Sequence, residues 1–183
     1  MQVNTFDQTN NPNPSSTTPN LLSQFQIEEY RRRFLWHGFS IFSLGCIAPL
    51  FIPFYTNPRG GLSAHTLGVM LGLLTMAVGM AIPYGCFTQL RTKLLFWFFV
   101  PSAYTGLTIQ VFAAIFGLTQ SFVVTAKGYP GGVFWMEILA TIGLRTVSVF
   151  ILLGAFIMMH GLNKAKGNTS LNLQTSQSHS VTE

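Results

Sequence analysis

Charged residues are scarce in this sequence, and so are cysteines. Only 8% of the 183 residues are Asp, Glu, Lys or Arg, while 49% are hydrophobic. A water-soluble fold of this length would lack the polar surface that it needs, so the composition predicts a protein of the lipid bilayer. The two cysteines, Cys46 and Cys86, belong to no CxxC or Cys/His pattern, and no zinc site is predicted.

Several common motifs are also missing. The sequence contains no glycine loop for binding phosphates and no nucleophile elbow. It has no repeat of fixed period, and no basic segment followed by an early apolar core, so no cleavable signal peptide is expected. Basic flanks that face anionic lipid account for the net charge of +5, and no nucleic-acid partner is expected.

Long apolar runs dominate what is present. Four segments, 34–54, 67–87, 94–118 and 133–159, reach the roughly 20 residues that cross a hydrocarbon core of about 30 Å. Helices are the open-ended elements that satisfy their own backbone in lipid. The sequence therefore predicts an all-α, integral membrane four-helix bundle over residues 31–162, between a polar, disordered arm at 1–30 and a polar tail at 163–183.

The basic residues outside the spans are distributed unevenly. Arg59 and Lys127 would lie on one side of the membrane. Seven others would lie on the opposite side: Arg31, Arg32, Arg33, Arg91, Lys93, Lys164 and Lys166. The positive-inside rule then predicts that both termini are cytoplasmic, in the cytoplasmic (inner) membrane if the source is bacterial.

Two ionisable residues fall inside the fourth span. Glu137 lies about one turn from its start and Arg145 near its middle. Their spacing separates them by about 80° and about 12 Å, too far for a direct bridge within one helix. Either each has a functional role, or Glu137 caps backbone and Arg145 binds carbonyl groups or extends toward the membrane surface.

A stripe of small residues follows His65, which is expected to open the second helix: Gly68, Gly72, Thr75 and Gly79. One interpretation is a small-xxx-small seam that lets another helix approach, with His65 as an interfacial cap. The other is that a flat ligand lies along the glycines while the imidazole coordinates its metal, as a proximal histidine holds haem iron. The spacing leaves both open.

Residues from different spans can be compared by depth. With cytoplasmic termini, the outer layer holds His65, Gln110, Trp135 and Glu137. Tyr104 and Arg145 lie near mid-depth, and a polar pocket in the outer half of the bundle is geometrically possible. His37 and His160 lie toward the other side and are interpreted as interfacial anchors.

Three motifs carry a resemblance to a known family. They are "NPRGGLSAHTLGVMLG" at the head of the second span, "AYTGLTIQVFAAIFG" in the third, and "GGVFWMEI" in the fourth. Over about residues 34–162 the chain resembles the hydroxylaminobenzene mutases, a family of small four-helix membrane proteins. Its fold and motif order are also similar to styrene oxide isomerase, whose histidine at the start of the second helix binds haem b at a subunit interface in a trimer.

The resemblance implies a haem b cofactor with His65 as its metal ligand, and a homo-oligomer, possibly a trimer. Haem iron would then act as a Lewis acid on a small aromatic hydroxylamine or epoxide, without net redox change. It further implies that Arg59 reaches a cofactor carboxylate and that Gly68 and Gly72 border the cofactor. The implied catalytic residues are Tyr104, Gln110 and Glu137; Gln110 stands near a tyrosine of the isomerase.

Two positions depart from the family pattern. Relatives usually have asparagine where this chain has Leu71, and the mutases tend to have it where this chain has Gly106. The loss of two amides removes hydrogen bonds that could orient a substrate oxygen. A non-enzymatic protein that binds haem or serves as a packing partner therefore stays an alternative, as does a small transporter built on Glu137 and Arg145.

Overall fold

The computed structural model describes residues 23–120, 124, 126–129 and 131–180. Its helices are α1 (Gln24–Ile47), α2 (Pro58–Ala81), α3 (Gln89–Phe116) and α4 (Phe134–Ser180). Short 3-10 helices, Ala48–Phe54 and Ile82–Tyr84, extend α1 and α2. These ranges contain no strand, and all four helices are long and apolar enough to cross a membrane, which confirms the predicted all-α membrane bundle.

Helical structure extends further toward both ends than the predicted boundaries at residues 31 and 162. Helix α1 begins at Gln24 because Ser23 and Gln26 form a capping box, in which each side chain bonds the other's backbone N–H. Helix α4 continues to Ser180. Residues 1–22 and 181–183, which belong to the predicted arm and tail, lie outside the described residues.

The second helix begins earlier than its hydropathy indicates. Asn57 caps it, because its side-chain oxygen accepts a hydrogen bond from the Gly60 N–H at 3.1 Å, and Pro58 occupies the first turn. Residues 58–66 are therefore helical rather than a hinge, and His65 lies two turns inside α2 instead of opening it. The Asn57 N–H also donates to the Ala114 carbonyl at 3.0 Å, which fastens the start of α2 to the end of α3.

Tyr55 closes the turn between α1 and α2. Its hydroxyl donates to the Ala48 carbonyl at 2.9 Å, and burial raises the pKa of its phenol, so the group stays protonated as a donor. Its ring lies against Gly61, where a β-carbon would overlap it. The glycine in the motif thus accommodates the tyrosine that shapes the turn.

Helices α1 and α2 approach each other backbone to backbone. A β-carbon at Gly68 would lie 2.6 Å from the Cα of Gly45, and one at Gly72 would lie 2.7 Å from the Phe42 nitrogen. Glycine on both sides therefore lets the two helices pack at very short range. Helix α3 packs against α2 on one side and α4 on the other, around apolar clusters built from buried residues such as Phe99.

Candidate functional site

His65 lies at the contact between α1 and α2, half-buried. Its Nδ1 is 2.9 Å from the carbonyl oxygen of Gly45. A carbonyl can only accept, so Nδ1 carries the proton and donates, which leaves Nε2 with the lone pair. Among the described residues, no hydrogen bond occupies Nε2. A backbone carbonyl that fixes the tautomer in this way is the usual support of a metal-binding histidine.

The glycines beside His65 are covered by protein. Gly68 and Gly72 are buried against α1, at Gly45 and Phe42. The seam interpretation therefore describes this face of α2, and the contacts correct the expectation that a flat ligand lies along Gly68 and Gly72. The imidazole itself stands at the edge of the seam, on the side of α2 turned away from α3.

Arg59 is exposed in the first turn of α2, about one and a half turns from His65. Within the described ranges it makes no hydrogen bond or ion pair. It stands at the same end of α2 as the imidazole. Its expected contact with a cofactor carboxylate stays a prediction.

Glu137 is buried, and its carboxylate binds the loop between α3 and α4. Its carboxylate accepts hydrogen bonds from the backbone N–H groups of Thr119 at 2.6 Å, Gln120 at 3.0 Å and Gly132 at 3.1 Å, and from the Thr119 hydroxyl at 3.3 Å. Four donors occupy this carboxylate. This set of bonds fits the backbone-capping alternative, and a catalytic role for Glu137 stays a prediction.

Tyr104 forms a pair that the sequence did not reveal. Its hydroxyl oxygen is 3.3 Å from Nδ1 of His37, and the two rings meet edge to face. His37 belongs to α1 and Tyr104 to α3, so only the packing of the bundle brings them together. His37 is therefore more than the interfacial anchor that was expected. The pair lies deeper in the bundle than His65, because His37 stands eight residues, or about 12 Å, before Gly45 on α1.

Gln110 is buried, with 4% of its surface exposed, at the junction of three helices. It lies one turn after Gly106 of α3. A β-carbon at Gly106 would face Leu71 of α2 and Val147 of α4. No hydrogen bond to its amide occurs among the described residues. In the described ranges, the fully buried polar side-chain atom without a partner is Ser102 Oγ, so the Gln110 amide keeps some accessible surface and is a candidate for binding a polar group of a ligand.

His65 and Gln110 lie at a similar depth in the bundle. Gly60 of α2 packs on Ala114 of α3, and Gly68 packs on Leu107. With these contacts, Gln110 lies at the same depth as the middle of residues 60–68 of α2. Leu71, which faces α3, is about 120° around the helix from His65. In one chain, His65 therefore points away from the side of α2 that faces α3, and the possible outer polar pocket stays a prediction.

The two departures from the family pattern touch each other. A β-carbon at Gly106 would lie 3.5 Å from Cδ1 of Leu71 and 3.3 Å from Cγ1 of Val147. Leu71 fills the space next to Gly106. One large and one small residue therefore stand where relatives have two asparagines of intermediate size. Sequence position alone did not show that these substitutions form one local unit.

An apolar groove lies between the outer halves of α1 and α3. Its lining is almost wholly hydrophobic: Leu44, Ile47, Ala48, Phe51, Tyr55, Leu107, Thr108, Val111, Phe112 and Ile115. None of the predicted site residues lines it. Gly45, the partner of His65, directly follows Leu44 of this lining. In the described part of the chain, no three His, Cys, Asp or Glu side chains come together as a metal site, so a metal here would have at most two of these side chains as ligands.

Arg145 lies on the outward face of α4 and is exposed. A groove beside it is lined by Gln120, Thr141, Leu144, Ser148 and Val149. The residue thus lies apart from His65, Tyr104 and Gln110.

Comparison with known proteins agrees with this architecture. The family model for styrene oxide isomerase matches residues 30–163, which span all four helices to the end of the apolar part of α4. The chain is also 29% identical over 134 residues to hydroxylaminobenzene mutase HabB of Ectopseudomonas oleovorans, an alignment that covers 73% of this chain and 82% of the relative. No solved structure matches the chain. The chain therefore belongs to the styrene oxide isomerase family and is an integral membrane enzyme of the isomerase or mutase type.

Proposed function

We propose that this protein rearranges a small apolar aromatic substrate within the membrane, either an arylhydroxylamine to an aminophenol or an epoxide to a carbonyl compound. The observation that carries the proposal is the bond from Nδ1 of His65 to the Gly45 carbonyl, which leaves Nε2 as a ligand in a chain of this family. Both reactions move atoms within one molecule. They suit a sequence without nicotinamide, flavin or phosphate-binding motifs.

A haem b iron fits the residues around His65. The imidazole has a fixed tautomer and stands at the edge of the α1–α2 seam, where a ligand does not compete with the glycine packing. When bound, haem iron would supply Lewis acidity toward the substrate oxygen. Arg59, exposed at the same end of α2, would bind a cofactor carboxylate through charge-assisted hydrogen bonds.

The chain's own residues would supply an apolar site and a few polar contacts. The groove between α1 and α3 would bind the aromatic ring and exclude water. Gln110, whose amide has no hydrogen bond among the described residues, would donate its amide protons to the substrate oxygen. The Tyr104 hydroxyl, held by His37, would hold or release a proton.

A second copy of the chain would bring the separated residues together. His65 and the α3-facing residue Leu71 lie about 120° apart on α2, so in one bundle His65 points away from the helix that carries Gln110. An assembly that places another copy against the His65 side of the bundle would complete the site. We therefore include a homo-oligomer, of which a trimer is one form, in the proposal.

The proposal is tested by supplying membranes that contain the protein with styrene oxide and, separately, with phenylhydroxylamine. We expect one of the two to be isomerised. The His65→Ala variant should fall to the rate of membranes that lack the protein. A matched control is His160→Ala, because His160 is exposed near the end of the apolar part of α4 and should keep the full rate. An active His65→Ala variant would overturn the role of His65, and no turnover of either compound would overturn the proposed substrates.

A further inference from the structure

Arg145 occupies an unusual place for a charged residue. It follows the first residue of α4, Phe134, by eleven positions, or about 16 Å along the helix axis. That depth is inside a hydrocarbon core of about 30 Å, and the side chain is exposed on the outward face of the helix. A guanidinium at this depth cannot lose its proton, and an anionic partner would stabilise it.

Within residues 23–120 and 131–180, no carboxylate is free to pair with Arg145. The chain contains five acidic residues in all. Glu28 and Glu29 form ion pairs with Arg31 and Arg33 within α1, and the four hydrogen bonds to Glu137 hold it in the loop. The other two acids, Asp7 and Glu183, lie near the ends of the chain, outside the described residues. A second copy of the chain would supply the same acidic residues. We therefore look for the partner of Arg145 outside the protein.

The groove beside Arg145 shows which donors are left for such a partner. The hydroxyls of Thr141 and Ser148 donate to carbonyls of their own helix, at 2.8 and 2.9 Å. In the described ranges, no hydrogen bond occupies the side chains of Arg145 and Gln120, which line the same groove. Gln120 belongs to the loop that follows α3. The groove therefore runs from the loop between α3 and α4 to the guanidinium.

The remaining lining is apolar. Leu144 and Val149 belong to it, and Ile142 and Leu153 are exposed on the same helix. A ligand in this groove would thus contact the Arg145 cation and the Gln120 amide at one end, and apolar side chains along the rest of its length. We propose that the groove binds an anionic phospholipid, whose phosphate is held by Arg145 and Gln120 and whose acyl chains lie along α4. A lipid with one net negative charge neutralises the arginine, whereas a zwitterionic lipid leaves a second cation beside it.

Native mass spectrometry of the full-length protein in detergent tests this proposal. The protein is mixed with phosphatidylglycerol or with phosphatidylcholine, and the bound lipid is counted from the mass. We expect one phosphatidylglycerol per chain, bound at least about tenfold more tightly than phosphatidylcholine. Arg145→Gln should abolish that preference, and Arg145→Lys should keep part of it because the charge remains. Gln120→Ala, which leaves α4 unchanged, should weaken retention of the lipid. The control is Lys164→Gln, which removes a charge from the same helix at the end of its apolar part and should change nothing.

Three results would overturn the proposal. Equal retention of phosphatidylglycerol by the unaltered protein and Arg145→Gln would show that the guanidinium does not bind the lipid. Loss of a haem absorption band in Arg145→Gln, with lipid retention unchanged, would assign the groove to a cofactor carboxylate. A change confined to the oligomeric mass would assign it to contact between copies.

Discussion

A single carboxylate holds the loop between α3 and α4 in place. Glu137 accepts three backbone N–H bonds and one hydroxyl bond, from residues on both sides of the loop. Bonds to an ionised acceptor are stronger than neutral ones, and buried donors that lose their partner are costly. This residue therefore stabilises the fold.

We expect Glu137→Gln to lower the free energy of unfolding by about 2–4 kcal/mol, because the amide is uncharged and turns a donor toward N–H groups. Thermal unfolding in detergent, followed by circular dichroism, measures the change. Thr146→Ala is the control, since this exposed hydroxyl bonds only its own helix and its loss should cost less than about 0.5 kcal/mol. If Glu137→Gln kept full stability but lost all isomerase activity, the residue would be catalytic after all.

The sequence indicated which residues are unusual, but it did not indicate their partners. The rarity of ionisable groups in the spans singled out His65, Glu137 and Arg145 from residue type and position alone. Their partners, such as the Gly45 carbonyl for His65, come from other segments. The pair of His37 and Tyr104 was missed for the same reason, because its members are 67 residues apart.

At the scale of helices, the α1–α2 seam connects packing with the proposed chemistry. Gly45 faces Gly68 and also supplies the carbonyl that accepts from His65. A small change in the distance between α1 and α2 should therefore alter both the free energy of unfolding and the position of the His65 imidazole.

Gly68→Ala is expected to destabilise the protein by about 1–3 kcal/mol and to weaken cofactor binding, because its β-carbon would lie 2.6 Å from the Gly45 backbone. The control is Gly106→Ala, whose β-carbon would meet side chains at 3.3 and 3.5 Å, so its effect should be within about 1 kcal/mol. Thermal unfolding and haem content report the two effects. Equal behaviour of the two variants would contradict the account of the seam.

Hydropathy predicted the number and type of the helices well, because apolar length alone decides what can cross a bilayer. The boundaries were harder to predict. The second helix was expected from residue 67 but begins at Pro58, since its first turns are glycine-rich and polar and its start is set by the Asn57 cap. Asn57 forms hydrogen bonds with Gly60 and Ala114, and Tyr55 contacts Gly61. These contacts give the motif that begins at Asn57 a structural role that the sequence alone did not reveal.

At the scale of the whole molecule, the separation of His65 from Gln110 bears on assembly. In one chain, His65 points away from the helix that carries Gln110, and the proposed reaction uses both residues. The proposed site would therefore combine residues from more than one copy.

We expect light scattering of the purified protein, corrected for detergent, to give a multiple of the chain mass of 20.2 kDa. Mixing inactive His65→Ala with inactive Gln110→Leu should restore part of the activity, because mixed assemblies combine an intact residue from each copy. A fully active monomer of 20.2 kDa would contradict this expectation, and so would the absence of any recovery in demonstrably mixed assemblies.

The central claim is that His65 holds the cofactor through Nε2. The most direct test is the absorption spectrum of the detergent-purified protein, expressed with haem supplied, beside the spectra of its His65→Ala and His160→Ala variants. The account predicts a Soret band in the unaltered protein and in His160→Ala, and none in His65→Ala. A band of equal strength in all three, or in none of them, would contradict it.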